Sequence, residues 1–172
     1  MTADQTIVEL QPHDPAWSEI ARHEGSRLAA ALGDNLIRIE HVGSTAIRGI
    51  CAKPTIDLMP IVRSIDMNGD AMRALGYEWR GEFGLPGRRY CTLTEMGKRL
   101  FNVHIFEDGS THAVRMLAFR DYLRAHPEEA RAYEAVKRAA AAQHPNDSLA
   151  YNDAKSDWLQ ACERRALAWK EQ

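Results

Sequence analysis

The chain has 172 residues, enough for one domain with a sizeable core, and its 22 Lys and Arg nearly balance 24 Asp and Glu. That balance argues against a broad electrostatic footprint for duplex DNA or an anionic membrane, although local clusters can still hold phosphates. Three cysteines, Cys51, Cys91 and Cys162, are odd in number, widely spaced and lack a C-x-x-C pair, which argues against a disulfide framework or a structural zinc site and points to a reducing, cytoplasmic setting.

The opening "MTADQTIVEL" has neither the basic start nor the apolar segment of a secretion signal, so the mature chain is expected to begin there, and no later run approaches the roughly 18 apolar residues of a membrane span. "TIVELQP" alternates like a short strand. "HDPAWSEIARHEGSRLAAAL" then predicts a helix to about Leu32, with Asp14 as N-cap and Pro15 at the first helical position. "LIRIEHV" reads as a strand, and "PTIDLMPIV" as another whose nearly continuous apolar character suits a central strand covered on both faces. "DAMRALGY" predicts a helix crossing back over the sheet. "YEWR", "RRYCTLTE" and "RLFNVHIFE" read as further strands separated by Gly-rich turns. From Ser110 onward the pattern is helical, interrupted near Pro127 and ending in a long amphipathic helix over "NDSLAYNDAKSDWLQACERRALAWKEQ". The expected architecture is α/β (α+β): one domain over residues 1–172, with a mixed sheet to about residue 109 and a helical half beyond.

One residue in the apolar strand is out of place. Alternation puts Thr55, Asp57, Met59 and Ile61 on one face, and an ionised carboxylate there is costly unless a basic partner, hydrogen bonds or a cation meet it. About a dozen residues earlier, Gly43-Ser44 follows a strand, and such a turn offers backbone N–H groups and a hydroxyl to an anion such as phosphate. Together they point to metal-phosphate chemistry. The bland alternatives are a buried ion pair of Asp57 with Lys53, Arg88 or Arg89, and an ordinary turn capped by Ser44 or Thr45.

Gly43-Ser44 followed by a strand carrying Asp57 resembles the nucleotidyltransferase superfamily typified by polymerase beta, in which Gly-Ser holds the triphosphate and strand carboxylates hold Mg²⁺. "EHVGSTAIRGICAKPTIDL", "LPGRRYCTL", "NVHIFEDGS", "LAFRDYLRAHPEEARAYEAVK" and "YNDAKSDWL" are similar, in order, to recurrent segments of the GrpB family, an offshoot of that superfamily. The resemblance implies a nucleotidyltransferase-like mixed sheet flanked by helices. It further implies transfer of a nucleotidyl group from a nucleoside triphosphate to a small-molecule acceptor. Two departures stand out. Two-metal transfer wants carboxylates at i and i+2, bridging cations about 3.5 to 4 Å apart, yet Met59 occupies the second position and a thioether suits Mg²⁺ poorly. Arg48 stands where the family has proline before the turn glycine, losing a rigid turn and gaining a phosphate ligand.

Roles follow for a set of residues. Asp57 would hold the cation, Mg²⁺ or else Mn²⁺ or Zn²⁺. His104 shares its face with Asn102 in "LFNVHIF", and is expected to orient or deprotonate an acceptor or ligate the metal, with His41 close by. Gly43, Ser44 and Lys53 would hold phosphate, as would whichever of Arg88 and Arg89 faces the cleft, since consecutive strand residues point to opposite sides. Arg120 is a further phosphate candidate, with pairing on a helix surface as its alternative. Tyr151 and Lys155, at i and i+4, could place a ring under a base and an ammonium on a phosphate. "EEARAYEAVKR" reads as a charged solvent face, and Trp158 and Trp169 as helix packing. Two other readings stay open: a catalytically silent nucleotide- or phosphate-binding module, and a metal-dependent hydrolase built on Asp57, His104 and His41.

Overall fold

The structure is a computed structural model that describes residues 7–172. The apolar positions of the first helix, α1 (Ala16–Leu32), recur at helical spacing, so Trp17, Ala21, Leu28 and Leu32 share one buried stripe. Asp14 caps it through Oδ1, which accepts from the Ala16 N–H at 2.9 Å, while Pro15 takes the N-cap position, one residue later than the sequence suggests. Of "TIVELQP", Thr6 lies outside the described residues. The remainder joins no sheet: Gln11 makes an isolated antiparallel bridge to Ala52, and the Val8 N–H donates to the Pro145 carbonyl.

Five strands follow: β1 (Leu36–Val42), β2 (Ile56–Val62), β3 (Glu78–Trp79), β4 (Arg88–Glu95) and β5 (Lys98–Glu107). They lie in the order β1-β2-β5-β4-β3; only β2 and β5 run parallel, and the other neighbours are antiparallel. The sheet is therefore mixed, as expected. The short helix α2 (Asp70–Ala74) stops three residues before the predicted end, because Gly76 at φ 93 turns the chain in a conformation that breaks the helix.

Alternation along β2 decides which side of the sheet each residue serves. Ile56, Leu58 and Val62 join Val103 and Ile105 of β5 and the α1 stripe in the larger core. Met59 and Ile61 pack on the other face with Val42, Phe106 and Ala113. Helix α3 (Thr111–Ala125) packs on that second face through Ala113, and α4 (Pro127–Gln143) and α5 (Ser148–Lys170) pack against α3 in a cluster around Tyr122, Leu123, Tyr133 and Cys162. Ser110 caps α3 and Asp147 caps α5 through their side chains, while Pro127 separates α3 from α4. Cys51, Cys91 and Cys162 are free thiols and buried. Among the described residues no helix is long and apolar enough to cross a membrane.

Candidate functional site

The acid in the apolar strand is neither stranded nor sealed. Asp57 sits opposite Asn102 in the parallel pairing of β2 with β5, and its Oδ1 accepts from Asn102 Nδ2 at 3.1 Å and bonds His104 Nε2 at 3.2 Å. Among the described residues His104 is the one ionisable partner within 4 Å of this carboxylate, and a quarter of the Asp57 side chain remains exposed. No arginine or lysine closes it off. Its other oxygen lies against the turn after β1: a Cβ added to Gly43, which has φ 74, would fall 2.5 Å from Asp57 Oδ2. Glycine is required there twice over, for its conformation and for the close approach.

His104 is held from both sides. Arg88 Nη1 reaches its Nδ1 at 3.5 Å, and because a guanidinium can only donate, that nitrogen carries the lone pair and Nε2 carries the proton given to Asp57. Tyr90, opposite His104 in the β4–β5 register, lies over the imidazole with ring centres 5.1 Å apart. The Tyr90 hydroxyl and Arg99 both donate to Asn102 Oδ1, fixing the second residue that holds Asp57. With both ring nitrogens engaged, His104 orients the carboxylate. A role as base or metal ligand requires it to give up one of these bonds.

The helical half contributes cations. Lys155 on α5 stands over the Tyr151 ring at 3.9 Å, with Lys53 near the same ring at 5.2 Å and 3.5 Å from Ser148 Oγ. Lys137 on α4 lies over Tyr133 at 4.7 Å and donates to the Cys51 carbonyl. Tyr133 in turn accepts from Ser44 Oγ at 3.2 Å, tying this group to the Gly-Ser turn. Burial pushes the Lys155 ammonium down to about 7, with the charges of Lys53 and Lys137 adding to the effect; Asp57 acts in the opposite sense. Burial likewise takes Lys137 down to about 8. Asp57 offsets Lys53 and Lys155, and Glu134 offsets Lys137, so three lysines share the region with two carboxylates.

The expected residues divide accordingly. Gly43, Ser44, Lys53, Asp57, His104 and Lys155 are brought together, and Arg88 joins them from the same sheet face, although it also donates to the Phe83 carbonyl at 2.8 Å. Arg89 pairs with Ile105 in the register, on the far face, and its ionic partner is Glu82 at 3.6 Å. Arg120 is committed to Glu40 Oε2 at 2.8 Å, the His41 carbonyl and Asp121. Tyr151 is only 1% exposed, so its ring serves the lysines and is not open to a base. His41 lies opposite Leu58, on the face away from Asp57, and bonds Thr45 Oγ1 at 2.8 Å. Among the described residues no three His, Cys, Asp or Glu side chains converge to hold a metal ion. Met59, two residues after Asp57 on the same strand face, is wholly buried.

Sequence reading passed over Tyr133 and Lys137, both buried within a stretch that looks like a solvent face. A signal was present: "YEAVK" and "YNDAK" repeat the spacing Y-x-x-x-K, placing Tyr133 with Lys137 and Tyr151 with Lys155 one helical turn apart.

Residues 7–165 match the family model described as GrpB protein. The UPF0157 protein YqkA of Bacillus subtilis is 40% identical over 166 residues, covering 95% of this chain, while the chain spans about half of that relative (48%). The crystal structure of conserved protein GrpB from Enterococcus faecalis superposes with a TM-score of 0.89 at 35% identity, covering 95% of this chain and all of that one. A dephospho-CoA kinase of Mycolicibacterium paratuberculosis is 32% identical over 190 residues, 94% of this chain but 46% of its own length.

Proposed function

The chain belongs to the GrpB family, and from that premise we propose that it binds a nucleoside triphosphate with a divalent cation between the sheet and the helical half, and transfers a nucleotidyl group to a small-molecule acceptor. One observation carries the reading: Lys53 and Lys155 share the Tyr151 ring beside Asp57 and the Gly43-Ser44 turn, with Lys137 next to them over Tyr133, and among the described residues the only carboxylates that act on the three are Asp57, on Lys53 and Lys155, and Glu134, on Lys137. Several positive groups in a poorly hydrated site are disfavoured until an anion arrives, and a polyphosphate supplies several negative charges at that spacing.

Asp57 fits Mg²⁺ as a single anchor. Its Oδ1 is held by Asn102 and His104, Oδ2 takes part in neither bond, and Mg²⁺ commonly binds one or two carboxylates together with substrate phosphates and water. A cation held by Asp57 would supply positive charge to the phosphate oxygens and to the departing pyrophosphate. The protein's own part is to fix Asp57 through His104, Asn102 and Tyr90, and to hold the phosphates with Ser44 and the lysines. The dephospho-CoA kinase name, borne by a protein more than half of which lies outside the match, agrees with nucleotide chemistry and does not specify the acceptor.

Met59 favours a second reading, a nucleotide-binding module without catalysis, because an apolar side chain stands where two-metal transfer needs an acid. Calorimetric titration with ATP, with and without Mg²⁺, tests both. Asp57→Asn is expected to abolish the Mg²⁺-dependent part of binding while the melting temperature holds; undiminished binding by that variant would reject the cation site. A native protein that binds a nucleotide yet turns over none with any acceptor supplied supports the module.

A further inference from the structure

A cavity of about 570 Å³ opens between the segment 46–50 and the junction of α3 with α4. Arg48, Arg124 and Arg131 line it, and no carboxylate does. All three arginines are solvent-exposed, whereas Ile50, Leu123 and Ala130 beneath them are buried. The cavity contains none of the residues around Asp57. Arg124 is anchored by Nε, which donates to the Ala46 carbonyl at 2.8 Å, so its guanidinium is held at the rim. Burial lowers the pKa of Arg124, followed by the charge of Arg120; Asp121 and Glu40 act in the opposite sense, and Arg48 adds a smaller lowering, so the charges of Arg48 and Arg124 act on one another. Pro127, the first residue of the 17-residue helix α4, also lines the cavity, so the positive end of that helix faces it. Two acids stand in the same turn: Glu129 is engaged by Arg165 at 2.8 Å and by the Tyr122 hydroxyl, Glu128 is exposed, and neither lines the cavity.

We propose that this cavity is a second anion site, taking a phosphomonoester whose carbon part lies on the Ile50, Leu123 and Ala130 floor while the three guanidinium groups hold the phosphate. Planar guanidinium forks match phosphate oxygens in pairs, and no carboxylate lines the cavity to compete for them, although Asp121 and Glu40 offset part of the Arg124 charge from outside it. The apolar floor distinguishes the expected ligand from inorganic phosphate. The site stands whether or not the Asp57 region binds a nucleotide.

Phenyl phosphate is a suitable probe, followed by calorimetry and by amide shifts in the full chain. Wild-type protein is expected to bind it saturably, with shifts at Gly49, Ala130 and Arg131, and more tightly than inorganic phosphate. The double variant Arg48→Ser, Arg131→Ser should weaken binding by at least about tenfold. Its melting temperature should be unchanged, because both side chains are exposed. Asp57→Asn and Lys155→Met should leave the affinity as it was. The inference is overturned if wild type shows no saturable binding, if the double variant binds equally well, if Lys155→Met abolishes binding, or if inorganic phosphate competes on equal terms.

Discussion

Binding of a polyphosphate among the lysines should draw protons out of solution. At pH 8, Lys155, at about 7, is about one-tenth charged, and Lys137, at about 8, is about half charged. An anion that restores both towards the ordinary lysine value makes them take up about 0.9 and about 0.5 proton, about 1.4 per ligand. At pH 6 both are already charged and uptake falls close to zero. The assay is calorimetric titration with inorganic tripolyphosphate in Tris and in Hepes, whose heats of ionisation differ; the dependence of apparent enthalpy on buffer heat counts the protons. Lys155→Met should remove the larger share, leaving about 0.5 proton per ligand. The same shifts govern stability without ligand. A lysine whose folded pKa is lowered binds fewer protons than in the unfolded chain, so its contribution rises as pH climbs from about 7 towards 10.5. Once the protons released by tripolyphosphate itself are subtracted from its own titration, zero uptake at pH 8, net release, or equal uptake at pH 6 would refute the convergence of the lysines on the ligand.

Two further perturbations test the scaffold. Gly43→Ala forces a Cβ to within 2.5 Å of Asp57 Oδ2 in a left-handed backbone, and should cost about 1 to 3 kcal/mol in urea denaturation; an unchanged midpoint would contradict the close approach. Burial, then the charge of Arg124, lowers His41 to about 4, so its contribution is present above about 6.5 and is lost as pH falls through 4. That is at most about 3 kcal/mol, and His41→Gln should flatten this acid limb in melts between pH 4 and 7.

Much of the fold was legible because it is written locally. A continuous apolar run located β2, and strand-like runs between Gly-rich turns located β4 and β5, each to within two residues, while period-two alternation put Asn102 and His104 on the face that meets Asp57. Partners far apart in sequence were not legible. Arg120 meets Glu40 across 80 residues, and Lys137 meets the Cys51 carbonyl across 86, so neither commitment leaves a trace in its own neighbourhood. Charge-rich composition also misleads at α4. "EEARAYEAVKR" averages to a wet surface, but its Tyr133 and Lys137 point inward, and burial of lysine is uncommon enough that composition alone steers away from it. Gly76 shows the reverse: a single residue with its own backbone preference cut α2 short where apolar spacing alone would have extended it.

Met59 carries a lesson about routes between sequences. Its neighbours are Val42, Ile61, Phe106 and Ala113, and across the strand Glu40 is already bound to Arg120. An aspartate swapped in alone at 59 would put a second carboxylate among those apolar side chains, opposite Glu40, and should destabilise the fold. Room for another charge at that position therefore depends on replacing packing partners along with it.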